Sequence, residues 1–228
     1  MTKKLKILRH KKGACDSYYE EFSYEMTNDS DTVATALTKI NEDVYVGWEC
    51  NCLQKKCGAC AMRINGIPKL ACSAKLAKLG DEITLEPLMK FPVIEDLIVD
   101  RSAMYENLDA IKTWFDDKAR GNGDTMDNAY EASRCLQCGC CLEVCPNFMV
   151  EGRFFGMASA VPASRIIGQL EKDSKSDIAK LYKRHIYEGC GKSLACRNIC
   201  PAGIEIENLL INSNATAVWK RFQRRGKK

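Results

Sequence analysis

Residues 135–146, Cys135-Leu-Gln-Cys138-Gly-Cys-Cys141-Leu-Glu-Val-Cys145-Pro146, constrain this chain more than any other stretch. The spacing is C-x2-C-x2-C-x3-C-P, in which three closely spaced thiolates wrap one iron–sulfur core and the fourth turns towards a second cluster. Pro146 has no N–H and a fixed φ, so the chain leaves the core in a set direction. A partial copy follows: Cys190-Gly-Lys-Ser193-Leu-Ala-Cys196-Arg-Asn-Ile-Cys200-Pro201. Cys190, Cys196 and Cys200 match Cys135, Cys141 and Cys145, and Ser193 stands where the first run has Cys138. If the fourth Cys of each run crosses over, Cys135, Cys138, Cys141 and Cys200 form a full set for [4Fe–4S]. Cys145, Cys190 and Cys196 then hold the other cluster, with a hydroxyl at its fourth corner. Serine is a poor ligand beside a thiolate for iron in a sulfide cluster, so [3Fe–4S] is expected there. The alternative is [4Fe–4S] with Ser193 as an oxygen ligand.

Fourteen cysteines in 228 residues would also suit a disulfide-rich secreted protein. The N-terminus, MTKKLKILRH, instead runs into a strand pattern with no apolar signal region or cleavage site. The thiols are therefore expected to stay reduced and to serve as metal ligands. No uninterrupted apolar stretch is long enough to span a bilayer. The net charge of +4 is mild and gives no argument for nucleic acid. Basic residues gather in Lys220–Lys228, which reads as a solvated helix end and tail, with contact to anionic lipid headgroups as the alternative.

Two domains are predicted, at 1–100 and 126–228, joined by a linker or connecting helix at 101–125. In the first, Leu5–Arg9 and Glu21–Met26 alternate like half-buried strands. Thr32–Ile40 has helical spacing behind Asp31, a plausible N-cap. The loop Cys52-Leu-Gln-Lys-Lys-Cys57-Gly-Ala-Cys60, with Cys72 further on, has the C-x4-C-x2-C…C spacing used for [2Fe–2S] in plant-type ferredoxins. Gly58 and Ala59 are small, as backbone closing on sulfur requires. Ala61–Ile64, Asn65-Gly66 and Ile67–Leu70 read as a hairpin about a type I′ turn that delivers Cys72, and Ile83–Leu88 as one more strand. Zinc is the alternative occupant, although its knuckles favour paired C-x2-C. A Rieske centre is excluded, because His10 and His185 belong to no Cys-x-His pair.

Beyond the first domain, Met104, Leu108, Ile111, Trp114 and Phe115 recur at helical spacing until Gly121-Asn-Gly-Asp124 breaks the pattern. Helical segments are then expected at Tyr130–Arg134, Val161–Leu170, Asp177–Tyr187 and Glu205–Val218. The fold class is α+β: a plant-type [2Fe–2S] ferredoxin (β-grasp) domain followed by a mainly α-helical, bacterial-ferredoxin-like domain. Trp114 and Trp219 are expected in the core or at an interface. Cys140 reads as a buried non-ligand and Cys15 and Cys50 as incidental, although Cys50 could replace Cys52 as first ligand.

No dinucleotide fingerprint, Walker sequence or nucleophile–base constellation accompanies the cysteines, so the chain reads as an electron carrier with no catalytic residues of its own. The order of the three motifs resembles the iron–sulfur subunit of succinate dehydrogenase and fumarate reductase. The similarity extends to Cys57-Gly-Ala-Cys-Ala-Met-Arg-Ile-Asn-Gly66, Leu85-Glu-Pro87, Phe91-Pro-Val-Ile-Glu-Asp-Leu-Ile-Val-Asp100 and Cys200-Pro-Ala-Gly203. The resemblance implies a succinate:quinone oxidoreductase or quinol:fumarate reductase. A separate flavoprotein with covalent FAD interconverts succinate and fumarate, and electrons pass through [2Fe–2S], [4Fe–4S] and [3Fe–4S] to a transmembrane anchor and quinone. It also implies a peripheral place on the cytoplasmic face of the inner (plasma) membrane, with residues 1–100 docking the flavoprotein and the Cys145, Cys190 and Cys196 face towards the anchor. Ubiquinone-using members carry two tryptophans after the first Cys-Pro and a His after the residue matching Cys190; here Met149, Val150 and Gly191 stand there. The chain looks more like menaquinone-using members whose anchor carries haem b. Rival readings are a related flavoprotein acting on another enoate or hydroxy acid, and a zinc-stabilised interaction protein.

Overall fold

Lys3, Leu5 and Ile7 are buried along one side of the first strand, β1 (Thr2–His10), the period-two pattern of a half-buried strand. Lys3 is tolerated there because its ammonium donates to the Leu79 and Gly80 carbonyls (3.2 and 3.3 Å) and to Asp81 Oδ1 (3.0 Å). This computed structural model describes residues 1–13, 16–114, 126–169 and 177–219. Cys15, Phe115, the Gly121–Asp124 break, Leu170 and the basic run Lys220–Lys228 lie outside the described residues. The chain divides into two units, Met1–Arg101 with Leu136–Glu143, and Ser102–Cys135 with Val144–Lys228.

In the first unit β1 pairs antiparallel with β2 (Ser17–Glu25) and parallel with β5 (Glu82–Glu86). β5 pairs antiparallel with β3 (Ala61–Ile64), which closes a hairpin with β4 (Ile67–Leu70). The sheet order is β2-β1-β5-β3-β4, a mixed five-stranded sheet. Asn65 and Gly66 sit at φ of 50° and 75°, the left-handed pair that a type I′ turn needs. Asn65 also ties the hairpin to β5, donating its N–H to the Thr84 carbonyl (2.8 Å) and accepting from Thr84 N–H (2.7 Å).

Helix α1 (Val33–Ile40) buries Val33, Ala36, Leu37 and Ile40 at helical spacing. Its N-cap is Thr32, whose hydroxyl accepts from Thr35 N–H at 3.2 Å, and not Asp31 as the sequence suggested. Asp31 is buried one residue earlier and organises the turn from β2 instead. Its carboxylate accepts from Thr27 N–H (2.7 Å), the Tyr24 hydroxyl (2.9 Å) and the Thr27 hydroxyl (3.0 Å). A short hairpin, β6 (Val93–Glu95) with β7 (Ile98–Val99), completes the strands; its runs are too short to show a period in the sequence.

The second unit is helical. Helix α5 (Met157–Ile167) is buried on nearly every side and carries few charges, as a central helix must be. Around it pack α2 (Ser102–Ala110), α3 (Met126–Ser133), α6 (Asp177–Tyr182) and α7 (Ile206–Asn214). The expected helices at 177–187 and 205–218 each finish in a wider π turn, Lys183–Tyr187 and Ala215–Trp219. The Tyr182 hydroxyl donates to Asn214 Oδ1 (3.0 Å), linking α6 to α7. Trp114 and Trp219, expected in a core or interface, are 51% and 38% exposed and so belong to neither core.

The backbone N–H of Thr27, followed by the Tyr24 and Thr27 hydroxyls, holds the Asp31 carboxyl below the usual carboxylate range in spite of its burial. A depressed carboxyl contributes stability above its unfolded value, lost as pH falls through the folded one. Asp31→Asn should therefore lower the denaturation midpoint at pH 7, and the gap to the parent should close below about pH 4. A gap of constant size from pH 7 to pH 3 would contradict this role.

Candidate metal centres

Cys60 immediately precedes β3 and Cys72 lies in a single turn after β4 (Ala71–Ser73), so the hairpin brings its two ends to one place. The Ala71 N–H donates to the Cys60 carbonyl at 3.0 Å and closes that end. The thiols of Cys60 and Cys72 are hydrogen-bonded to each other, and the charge of Cys57 also acts on Cys60. Cys52 is hydrogen-bonded in turn to the thiol of Cys57. The four sequence-predicted [2Fe–2S] residues thus meet as two interacting pairs, which suits a two-iron core with two thiolates per iron. Backbone N–H groups point at sulfur, among them those of Gln54 and Lys56 at Cys52 (3.3 and 3.4 Å) and that of Lys55 at Cys72 (3.3 Å). Leu53 and Lys55 pay for this aim with φ of 51° and 60°. The N–H groups of Gln54 and Lys56 bring the Cys52 thiol down to about 7, while burial pushes Cys60 up to about 12. Cys50 is exposed, and the described N–H donors serve Cys52. No three His, Cys, Asp or Glu side chains among the described residues are drawn tightly around a point for one metal ion.

The segment Leu136–Glu143, with the short helix α4 (Cys140–Glu143), belongs to this same unit. Glu143 fastens it by accepting from the N–H groups of Met89 and Lys90, both at 3.1 Å. Cys138 and Cys140 are buried and Cys141 is half-buried. The Cys140 thiol and N–H both donate to the Cys138 sulfur, and with the Arg101 charge they lower the Cys138 thiol to about 7. That donation and its burial push Cys140 far above an ordinary thiol, so it remains a neutral donor. Gly58, inside the Cys57–Cys60 loop, has φ of 75°, and a Cβ there would lie 2.5 Å from the Leu136 carbonyl oxygen and 2.9 Å from Cys138 Cβ. The sequence marked Gly58 as small for its own loop; its partner is the other cysteine segment.

In the second unit the charges of Cys145, Cys190 and Cys200 all act on buried Cys196, whose thiol burial pushes up to about 11. Ser193 is exposed, between Lys192 and Leu194 at φ of 55° and 53°. Cys135 is half-buried at the end of α3, where its N–H donates to the Ala132 carbonyl (3.3 Å). At Gly191 a Cβ would come within 2.9 Å of Asn147 Nδ2, which donates to the Gly189 carbonyl (2.8 Å), so a larger residue there would have to displace the Asn147 side chain. Met149 is exposed. His185 is stacked on Phe155 with centroids 4.2 Å apart, and its Nδ1 donates to the Arg153 carbonyl (2.9 Å).

Residues 4–106 match the model of a 2Fe-2S iron-sulfur cluster binding domain, and residues 131–204 that of a 4Fe-4S dicluster domain. The succinate dehydrogenase iron-sulfur subunit of Bacillus subtilis (strain 168) is 35% identical over 193 residues, 78% of this chain and 74% of the relative. The chain belongs to the family of succinate dehydrogenase and fumarate reductase iron–sulfur subunits. The fumarate reductase iron-sulfur subunit of Escherichia coli O6:H1 is 28% identical over 218 residues, 89% of this chain and 87% of the relative. A chain of the Mycobacterium smegmatis Sdh1 complex in the apo form shares the fold, with a TM-score of 0.80, 22% identity and 95% coverage of both. As a succinate dehydrogenase/fumarate reductase iron–sulfur subunit, the protein is an electron-transfer component of that enzyme class and carries 2Fe-2S and 4Fe-4S cluster domains. Family membership sets the zinc alternative aside. No helix among the described residues is long and apolar enough to cross a membrane.

Gly58→Ala should destabilise the first unit. The left-handed backbone alone costs about 1–2 kcal/mol for a residue with a Cβ, before the overlap with Leu136 and Cys138 is relieved. Chemical denaturation should show a lower midpoint, and an unchanged midpoint would contradict the close approach.

Proposed function

We propose that this chain relays single electrons between the FAD of a flavoprotein subunit and a quinone-reactive, haem-containing membrane anchor. Its cofactors on this reading are [2Fe–2S] on Cys52, Cys57, Cys60 and Cys72, [4Fe–4S] on Cys135, Cys138, Cys141 and Cys200, and [3Fe–4S] on Cys145, Cys190 and Cys196. The carrying observation is the first set: four sulfurs paired two by two, with several backbone N–H groups aimed at them. Such donors stabilise charge on sulfur and so favour a thiolate-bound cluster over free thiols. For the second set the support is the C-x2-C-x2-C-x3-C-P spacing, in which the fourth cysteine of such a run serves the other cluster. The third is supported by Cys145 and Cys190 lying close enough for their charges to act on Cys196, as that of Cys200 also does, and by Ser193 standing in the sequence where the first run has a cysteine.

When bound, the clusters supply one-electron carriers at separate potentials. The protein's part is to hold sulfur, exclude water and supply N–H donors. Burial of Cys60, Cys138 and Cys196 keeps one sulfur of each set away from solvent. Met149, Val150 and Gly191 in place of two tryptophans and a histidine favour an anchor in which haem, and not a quinone beside Cys190, takes the electron, and the quinone is menaquinone. The membrane face is the cytoplasmic one.

Electron paramagnetic resonance on the anaerobically purified protein, with iron counted in parallel, tests this reading. The expected result is about nine irons per chain, a [3Fe–4S] signal when oxidised and a [2Fe–2S] signal on reduction. Iron near ten with no [3Fe–4S] signal would make Ser193 a ligand. Ser193→Cys should raise the iron count towards ten and lower the potential of the third cluster; an unchanged oxidised spectrum would contradict the ligand assignment.

A further inference from the structure

We propose that Arg101 is a positioning residue for two clusters at once: it ties the [2Fe–2S] loop in place and raises the reduction potential of the cluster held by Cys138. The proposal rests on the cluster assignment above and adds a residue that no cysteine spacing reveals. Arg101 is the last residue before the chain leaves the first unit, and its side chain is only 11% exposed. Its guanidinium donates to the carbonyls of Ala59 (2.7 Å) and Gly58 (3.4 Å), both between Cys57 and Cys60, and is ion-paired with Glu49 (2.7 Å). Gly58 in turn touches Leu136 and Cys138. One cation is thus bonded to the backbone of one cysteine loop where that backbone meets the other loop.

Two further observations point from Arg101 towards a ligand. Its Nε is buried and has no hydrogen-bond partner among the described residues. A buried guanidinium N–H without an acceptor is costly, and sulfur of a bound cluster is an acceptor of the right charge. Gly58, whose carbonyl accepts from Arg101, also packs against Cys138, so the cation lies close to that cysteine. Reduction of a cluster adds one electron and no proton, so a fixed positive charge stabilises the reduced form and raises the potential. Glu49, 41% exposed on the other side of the guanidinium, partly cancels that charge.

The test is an anaerobic redox titration of the cluster-loaded protein, followed by paramagnetic resonance at each applied potential. Arg101→Gln should shift the one-electron equilibrium of [4Fe–4S] about tenfold towards the oxidised form, which is 59 mV. The [2Fe–2S] midpoint should move less. Arg101→Lys, which keeps the charge, should recover at least half of the shift, whereas a purely structural role would treat Gln and Lys alike. Glu49→Gln should move [4Fe–4S] the opposite way, and its exposed side chain makes it the decisive variant if Arg101→Gln fails to load. A loaded Arg101→Gln protein with an unmoved [4Fe–4S] midpoint overturns the proposal, as does a Glu49→Gln midpoint that is unmoved or lowered. Protein that never contains iron would overturn the cluster assignment itself, and this inference with it.

Discussion

Charge concentrated on sulfur has to be met by hydrogen-bond donors, and within a short loop the donors available are backbone N–H groups. Within a short loop, successive N–H groups converge on one point when the chain alternates into the left-handed region. The backbone of this protein shows that cost where the cysteines are. Leu53, Lys55, Gln137, Lys192 and Leu194 have positive φ although none is glycine, and each lies inside a cysteine loop. Left-handed backbone at Leu and Lys is unfavourable, so these loops are held in shape by what surrounds them. The rest of the architecture is the means of holding them.

The means differ between the two units. In the first, a mixed sheet with fully buried Leu5, Ile7, Ile64 and Leu85 supports a hairpin whose open end carries Cys60 and Cys72. Strand register therefore sets where these sulfurs fall, because Ala61 faces Leu70 and the next pair outward is Cys60 and Ala71. In the second, helices gathered on α5 leave the cysteines on the irregular segments between them. A sheet edge fixes side chains through register, and a helical bundle fixes them through the packing of helix ends.

Much of this was legible beforehand, and the exceptions have physical causes. Cysteine spacing is a geometric demand of the metal core, so the motifs and their order carried family and fold class. The Asn65-Gly66 turn was legible because only a few residue pairs accept two left-handed positions in succession. Asp31 misled because a carboxylate before a helix serves equally well as a cap or as the hub of the preceding turn; the Thr27 N–H and Tyr24 hydroxyl decided for the hub. Trp114 and Trp219 were read as core or interface residues, and their exposure removes only the core half of that reading. Arg101 left no trace in the pattern, because a single cation after a short strand resembles any surface arginine until its acceptors are known. The placement of Leu136–Glu143 was equally hidden, since nothing local says with which unit a cluster loop will pack.

That placement bears on how the protein comes into being. A chain emerging from the ribosome presents Met1–Arg101 first, with every strand of the sheet already in hand. Yet Leu88 and Phe91 lie against Gly139, and the N–H groups of Met89 and Lys90 donate to the carboxylate of Glu143. The first unit therefore stays unfinished until synthesis has passed residue 143, well into the sequence of the second. Its completion and the arrival of Cys138 and Cys141 are one event. Vectorial synthesis thus makes the N-terminal unit wait for a segment of the 4Fe-4S dicluster domain, so the two cysteine-bearing regions mature together.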